Sequence, residues 1–131
     1  EKGRDGCRVP LPWDGDAPGY GFSTGKPWLP QPEYWGKYAA SAQEGDAGSF
    51  LALYRQAGAV RRGFLATDPG SEIHWLDAGP EVLAFRRGEL ICVLNLGSEP
   101  VQLPDGTLIL ASEPGIEGRL ETDQSAWIRC P

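Results

Sequence analysis

The chain has 131 residues, 40% of them hydrophobic and 23% charged, with 18 acidic against 12 basic side chains and a formal net charge of −6. That length holds one compact core with a modest extension, and the longest apolar runs, only a few residues each, cannot cross a membrane as a helix. The negative balance repels phosphate backbones and offers nothing to anionic lipid, so neither nucleic acid nor a membrane is expected as a partner. Three cysteines, Cys7, Cys92 and Cys130, are an odd number without close spacing. They suggest neither a disulfide framework nor a zinc site, and fit a reducing compartment, the cytoplasm. The chain begins Glu-Lys-Gly-Arg and contains no methionine; no signal sequence is expected, and it reads as a piece of a longer protein.

Residues 1–45 hold six of the twelve prolines, eight of the eighteen glycines and seven of the thirteen aromatic residues. Such punctuation rules out long regular elements, while the aromatic content argues against plain disorder. A loop of this length is uncommon in a self-sufficient domain and points to function or to a larger scaffold. Residues 46–62, DAGSFLALYRQAGAVRR, predict a helix. Asp46 or Ser49 can cap it, and Phe50, Leu53, Tyr54, Ala57, Val60 and Phe64 recur at the three-and-four spacing of one apolar stripe. Arg61 and Arg62 suit its C-terminal end, with Gly63 as the stop. From residue 64 the period changes to short β-branched and aliphatic runs. Strands are expected at 73–76, 81–87, 89–96, 100–103, 107–111 and 126–130, separated by Gly, Pro, Asp and Ser turns. That pattern predicts a small antiparallel β-sandwich or meander. The acidity belongs to this half: residues 63–131 carry four basic and eleven acidic side chains, against eight and seven in 1–62.

Few residues offer chemistry. His74, the sole histidine, lies in a predicted strand without evident triad or metal partners and is read as structural. The serines have no nucleophile-elbow context and the glycines no phosphate-loop context, so no cofactor is expected. Asp14 and Asp16 could form a carboxylate pair, since retaining glycosidases hold two carboxyl groups about 5 Å apart. Alternate positions of a glycine-rich turn are more simply turn formers whose side chains bond the local backbone. Arg4, Asp5 and Arg8, close to Trp13, are either a surface ion-pair cluster or a set of guanidinium donors suited to sugar hydroxyls. The residues alone leave both open.

The order of these elements resembles the late part of α-glucosidases of glycoside hydrolase family 13. The carriers are Arg4-Asp5-Gly6-Cys7-Arg8-Val9-Pro10-Leu11-Pro12-Trp13, then Gly21-Phe22-Ser23, Pro27-Trp28-Leu29-Pro30, and the Asp46–Arg62 helix ending in a pair of arginines. VLAFRRGELICVLNLGSEPVQLP and the terminal AWIRCP are similar to that family's domain C, an antiparallel β-sandwich beside a (β/α)8 catalytic barrel. The resemblance implies that 1–62 is the end of the barrel, with an active-site rim loop at 1–45 and the last barrel helix at 46–62, and that 63–131 is the β-sandwich. It implies an enzyme that cleaves α-linked glucosides with retention, through two aspartates and a glutamate that have no counterpart in this chain. A barrel needs about 250 residues, so the chain alone is expected to be inactive, and its partners are the missing barrel and an α-glucoside substrate.

By the same resemblance, Arg4 first, or Arg8 second, binds the glucosyl hydroxyls at the cleavage subsite. Trp13, Phe22 and Trp28 are expected to pack the loop rather than stack on sugar. Pro12 and Cys7 depart from the family's usual residues at these positions, which leaves the glycosidic linkage open. Freed of its barrel, the apolar helix stripe would be exposed, and either self-association or a loop folded back over it is expected. The alternative is a free-standing carbohydrate-binding β-sandwich that uses Trp75 and Trp127, which would need neither the long loop nor the helix.

Overall fold

The computed structural model describes residues 3–68 and 72–131, apart from the side chain of Asp5. The chain forms two compact units, Glu1–Ala52 and Leu53–Pro131.

The first unit is built from turns. Short 3-10 segments at Arg4–Cys7, Pro18–Gly21 and Glu33–Tyr38 lead to a one-turn helix, α1 (Ala40–Gln43). Backbone pairing holds the unit together. The N–H groups of Trp13 and Asp14 donate to the Tyr20 carbonyl at 2.8 and 3.0 Å, and those of Ala40 and Ser41 donate to the carbonyls of Pro12 and Trp13 at 3.1 and 2.9 Å. Gly15 and Gly36 make the crossing possible, because a Cβ on Gly15 would stand 3.0 Å from the Gly36 carbonyl oxygen. Tyr20 sits at φ 52°, an uncommon left-handed conformation for a bulky residue. Its hydroxyl holds it there through contacts of 2.8 and 2.9 Å to the carbonyls of Pro32 and Glu33.

Helix α2 runs over Phe50–Thr67, later at both ends than the sequence predicts. Ser49 is the cap: its Oγ accepts from the Ala52 N–H at 3.2 Å. Gln43 Oε1 takes the Leu51 N–H at 3.0 Å, satisfying a second orphan donor. Asp46 instead bonds the Gly48 N–H at 2.9 Å in the preceding turn. Gly63 does not stop the helix. Its flank is open, its helical cost is about 1 kcal/mol, and the next residues, Phe64 and Leu65, are half-buried.

Among the described residues seven strands follow: β1 Ile73–Leu76, β2 Val82–Arg87, β3 Leu90–Asn95, β4 Val101–Gln102, β5 Thr107–Ala111, β6 Arg119–Leu120 and β7 Ser125–Arg129. Five of them form an antiparallel sheet ordered β1-β2-β3-β7-β5, and β4 and β6 form a separate ribbon. The two-residue β2–β3 turn has Gly88 at φ 57°, where glycine is unstrained. One sheet face presents Ala84, Ile91, Val93, Ala126 and Ile128. Leu120 of the ribbon and Ile116 close over them to make the core. The expected mainly β, sandwich-type fold is thus present, with the ribbon as its second layer.

Asn95 is the polar rivet of this layer. It is fully buried, and its Nδ2 donates to the carbonyls of Glu99 at 2.9 Å and Leu120 at 3.3 Å. Its Oδ1 accepts the Gly97 N–H at 3.0 Å. The side chain therefore ties the β3–β4 loop and β6 to the sheet with its hydrogen-bonding groups satisfied.

The helix stripe is covered in part. Leu53, Ala57, Val60 and Phe64 are half-buried. Leu53 and Ala57 border a cleft with Leu110 and Trp127 on the opposite sheet face, and Phe64 borders another with Phe85, Leu90 and Cys92. That sheet face is itself apolar and needs cover, and the helix leading into it supplies the cover. Phe50 and Tyr54, each 75% exposed, are the aromatic residues that the helix leaves in solvent.

Candidate functional site

The residues singled out for chemistry fall mainly in the first unit. Arg4 lies in the first 3-10 segment and Arg8 directly after it, and both are exposed. The Asp5 side chain lies outside the described residues, so its part in the proposed charged cluster does too. Trp13 follows on a backbone fixed at both its N–H and its carbonyl.

Asp14 behaves as a turn former. Its Oδ1 accepts the Asp16 N–H at 3.0 Å, the local bond expected of an aspartate in a glycine-rich turn. His74 stands exposed on the edge strand β1, opposite Arg86, so it is not a core histidine. Among the described residues, no three His, Cys, Asp or Glu side chains gather as metal ligands.

The three cysteines are free: Cys7 exposed, Cys92 buried and Cys130 half-buried. Burial pushes the Cys92 thiol up to about 11, because desolvation disfavours the thiolate. Cys92 is therefore the small apolar core side chain that its strand context suggests.

Trp13, Phe22 and Trp28, expected to pack the loop, lie at the surface of residues 1–131. They are 51%, 56% and 92% exposed. The glycine crossing and the Tyr20 hydroxyl bonds order the backbone at Gly15, Tyr20 and Gly36. Pro10, Phe22, Ser23, Lys26, Pro27 and Trp28 border a shallow cleft of about 190 Å³. Nothing in the residue spacing reveals this cleft, since its shape depends on the left-handed turn at Gly19 and Tyr20.

The tryptophans of the alternative reading are not a matched pair. Trp75, 69% exposed, packs edge-on against Phe85 with ring centroids 5.6 Å apart. Trp127 lies on the same sheet face, across Cys92 in register, but it is half-buried and lines the clefts beneath α2. Only Trp75 could meet a ligand directly, and one edge aromatic is a narrow basis for a binding platform.

A mainly antiparallel sheet with a few helices matches the C-terminal β domain of glycoside hydrolase family 13 enzymes. The chain belongs to the family described as "Domain of unknown function (DUF3459)", whose model matches residues 45–127. It is 37% identical over 102 residues to a "Probable alpha-glucosidase" of Rhizobium meliloti (strain 1021), which amounts to 75% of this chain and 18% of that protein. Among solved structures it is similar to the α-glucosyl transfer enzyme XgtA, at 35% identity and a TM-score of 0.70 over 98% of this chain and 26% of that one. It is also similar to the trehalulose synthase MutB of Pseudomonas mesoacidophila MX-45, at 28% identity and a TM-score of 0.76 over 96% and 26%. A variant of MutB has been solved in complex with the substrate sucrose. The chain thus spans less than a fifth of the first relative and about a quarter of the other two.

Proposed function

We propose that residues 1–131 form the C-terminal part of an α-glucosidase-type retaining glycoside hydrolase that acts on α-linked glucosides in the cytoplasm. The observation that carries this reading is the ordered succession of rim loop, Asp46–Arg62 motif and β domain, together with 37% identity to a probable α-glucosidase. In this reading the catalytic carboxylates are supplied by chain outside residues 1–131, and the 131 residues alone are inactive. The β domain supports the barrel. No cofactor takes part.

Arg4, with Arg8 as the second candidate, donates guanidinium N–H groups to the glucosyl hydroxyls at the cleavage subsite. Both arginines are exposed on the arm, as substrate contact requires. A charged hydrogen bond contributes about 1.5–3 kcal/mol, so in the full-length gene product Arg4→Ala lowers kcat/KM for an α-glucoside about ten- to hundred-fold. An unchanged kcat/KM in both Arg4→Ala and Arg8→Ala would remove the arginines from the site.

A further inference from the structure

We infer that Tyr20 is a positioning residue for the glucoside site: it fixes the arm that carries Arg4 and Arg8, and so sets where their guanidinium groups meet substrate. This rests on the α-glucosidase reading and adds to it a residue that acts without touching the sugar.

The observation behind it is a conflict between side chain and backbone. Gly19, Tyr20 and Gly21 are left-handed in succession, at φ 58°, 52° and 70°. Glycine enters that region freely, whereas a bulky aromatic residue is strained there. Such strain persists only where the surroundings over-determine it, and it gathers at functional sites. Glycine at position 20 would remove the strain, so the tyrosine side chain has to offset it.

Tyr20 joins three stretches of the arm. Its hydroxyl lies 2.8 and 2.9 Å from the carbonyl oxygens of Pro32 and Glu33 and shares its one proton between them. Its ring lies against Gly36, with Cε1 3.4 Å from the position of a Cβ there. Its carbonyl accepts the N–H groups of Trp13 and Asp14 at 2.8 and 3.0 Å. From that anchor the chain runs back to Arg8 through Pro12, Leu11, Pro10 and Val9, and the two prolines fix φ along the link. A displacement at Tyr20 is therefore passed to Trp13 and on toward the arginines. Catalysis tolerates such shifts poorly, since misplacing a contact by about 1 Å can cost on the order of a hundred-fold in rate.

The test is a double-mutant cycle in the full-length gene product, read by hydrolysis of a chromogenic α-glucoside and by melting temperature. Tyr20→Phe, which keeps the ring and removes the hydroxyl, is measured alone and combined with Arg4→Ala and with Arg8→Ala. Alone it should lower kcat/KM about ten-fold. Combined with the alanine variant of the arginine that contacts substrate, it should change kcat/KM by less than about two-fold, because a contact already removed cannot be misplaced. Tyr20→Gly, which relieves the left-handed strain but removes the side chain, should lose at least as much activity as Tyr20→Phe. An unchanged kcat/KM in Tyr20→Phe, full activity in Tyr20→Gly, or the same loss from Tyr20→Phe in both arginine backgrounds would overturn the positioning role, whatever the melting temperature. Any of these with an active wild type would sink this inference alone. A wild type that hydrolyses no α-glucoside would sink the α-glucosidase reading and the inference with it.

Discussion

Replacing Asn95 with aspartate changes one buried group and almost no volume, which makes it a sharp test of what holds the two β layers together. Asn95 Nδ2 serves two carbonyls, that of exposed Glu99 at 2.9 Å and that of buried Leu120 at 3.3 Å. Asn95→Asp keeps the acceptor for the Gly97 N–H and removes both donors. A buried acceptor left without a partner costs about 1–3 kcal/mol. With the part-buried Glu99 carbonyl at the low end of that range and the buried Leu120 carbonyl in its middle, the combined loss is about 3 kcal/mol. At neutral pH the introduced carboxylate also faces two carbonyl oxygens, which adds to the loss.

A loss of about 3 kcal/mol at an m-value of about 1.5 kcal/mol/M lowers the urea midpoint by about 2 M. The pH dependence has a definite sign. Burial and the facing carbonyls raise the introduced carboxyl's folded-state pKa above its unfolded value of about 3.9. The penalty for the charged form therefore fades as pH falls through the folded pKa, because the protonated group can donate to one carbonyl. The deficit relative to wild type should shrink between pH 7 and pH 4. A midpoint within about 0.5 M of wild type at pH 7, or a deficit that grows on acidification, would refute the assignment of Asn95 as the link between sheet and ribbon.

Gly106 has φ 149°, and a Cβ there would run into the Arg129 carbonyl oxygen and the Ile128 side chain. Gly106→Ala should cost about 2–3 kcal/mol in urea unfolding, and a neutral result would mean that β5 and β7 are less closely apposed. Cys92, raised from 9.0 to about 11, carries roughly a hundredth of the thiolate of an ordinary cysteine at pH 8. Iodoacetamide should therefore label Cys7 first and Cys92 only on unfolding, as peptide mass mapping would report; early labelling of Cys92 would contradict its burial. The same shift makes the folded state lose stability as pH rises from about 9 towards 11, and a flat melting temperature over that range would argue against it. Ser49→Ala removes the acceptor for the Ala52 N–H and should lower stability by about 1 kcal/mol. No change on that substitution would leave Gln43 as the effective cap.

The sequence pattern reveals what depends on short-range periodicity. Strands at 73–76 and 107–111 were legible to the residue, because alternating β-branched runs bounded by Gly, Pro and Asp leave little choice. β6 was not legible, since two residues, Arg119 and Leu120, have no period, and they pair with β4 only because Leu120 finds the core. The helix boundaries shifted for tertiary reasons. Gln43 and Ser49 cap the start, and Phe64 and Leu65 gain the sheet face beyond Gly63. The same cause half-buries Leu53, Ala57, Val60 and Phe64 of the apolar stripe and leaves Phe50 and Tyr54 exposed. In the arm, the ordering groups were glycines in close backbone contact and the Tyr20 hydroxyl, and no composition rule separates those from a flexible loop. For that reason the exposure of Trp13, Phe22 and Trp28 could not be read in advance, whereas the Asp14 turn could.

The central claim is that this chain is one part of an α-glucoside-hydrolysing enzyme whose catalytic carboxylates lie elsewhere. It is tested most directly by assaying a chromogenic α-glucoside with the full-length gene product and, side by side, with residues 1–131 alone. Turnover by the full-length protein and none by the 131 residues is the predicted result. Turnover by the 131 residues would contradict it and return attention to Asp14, Asp16 and His74, and an inactive full-length protein would refute the α-glucosidase assignment.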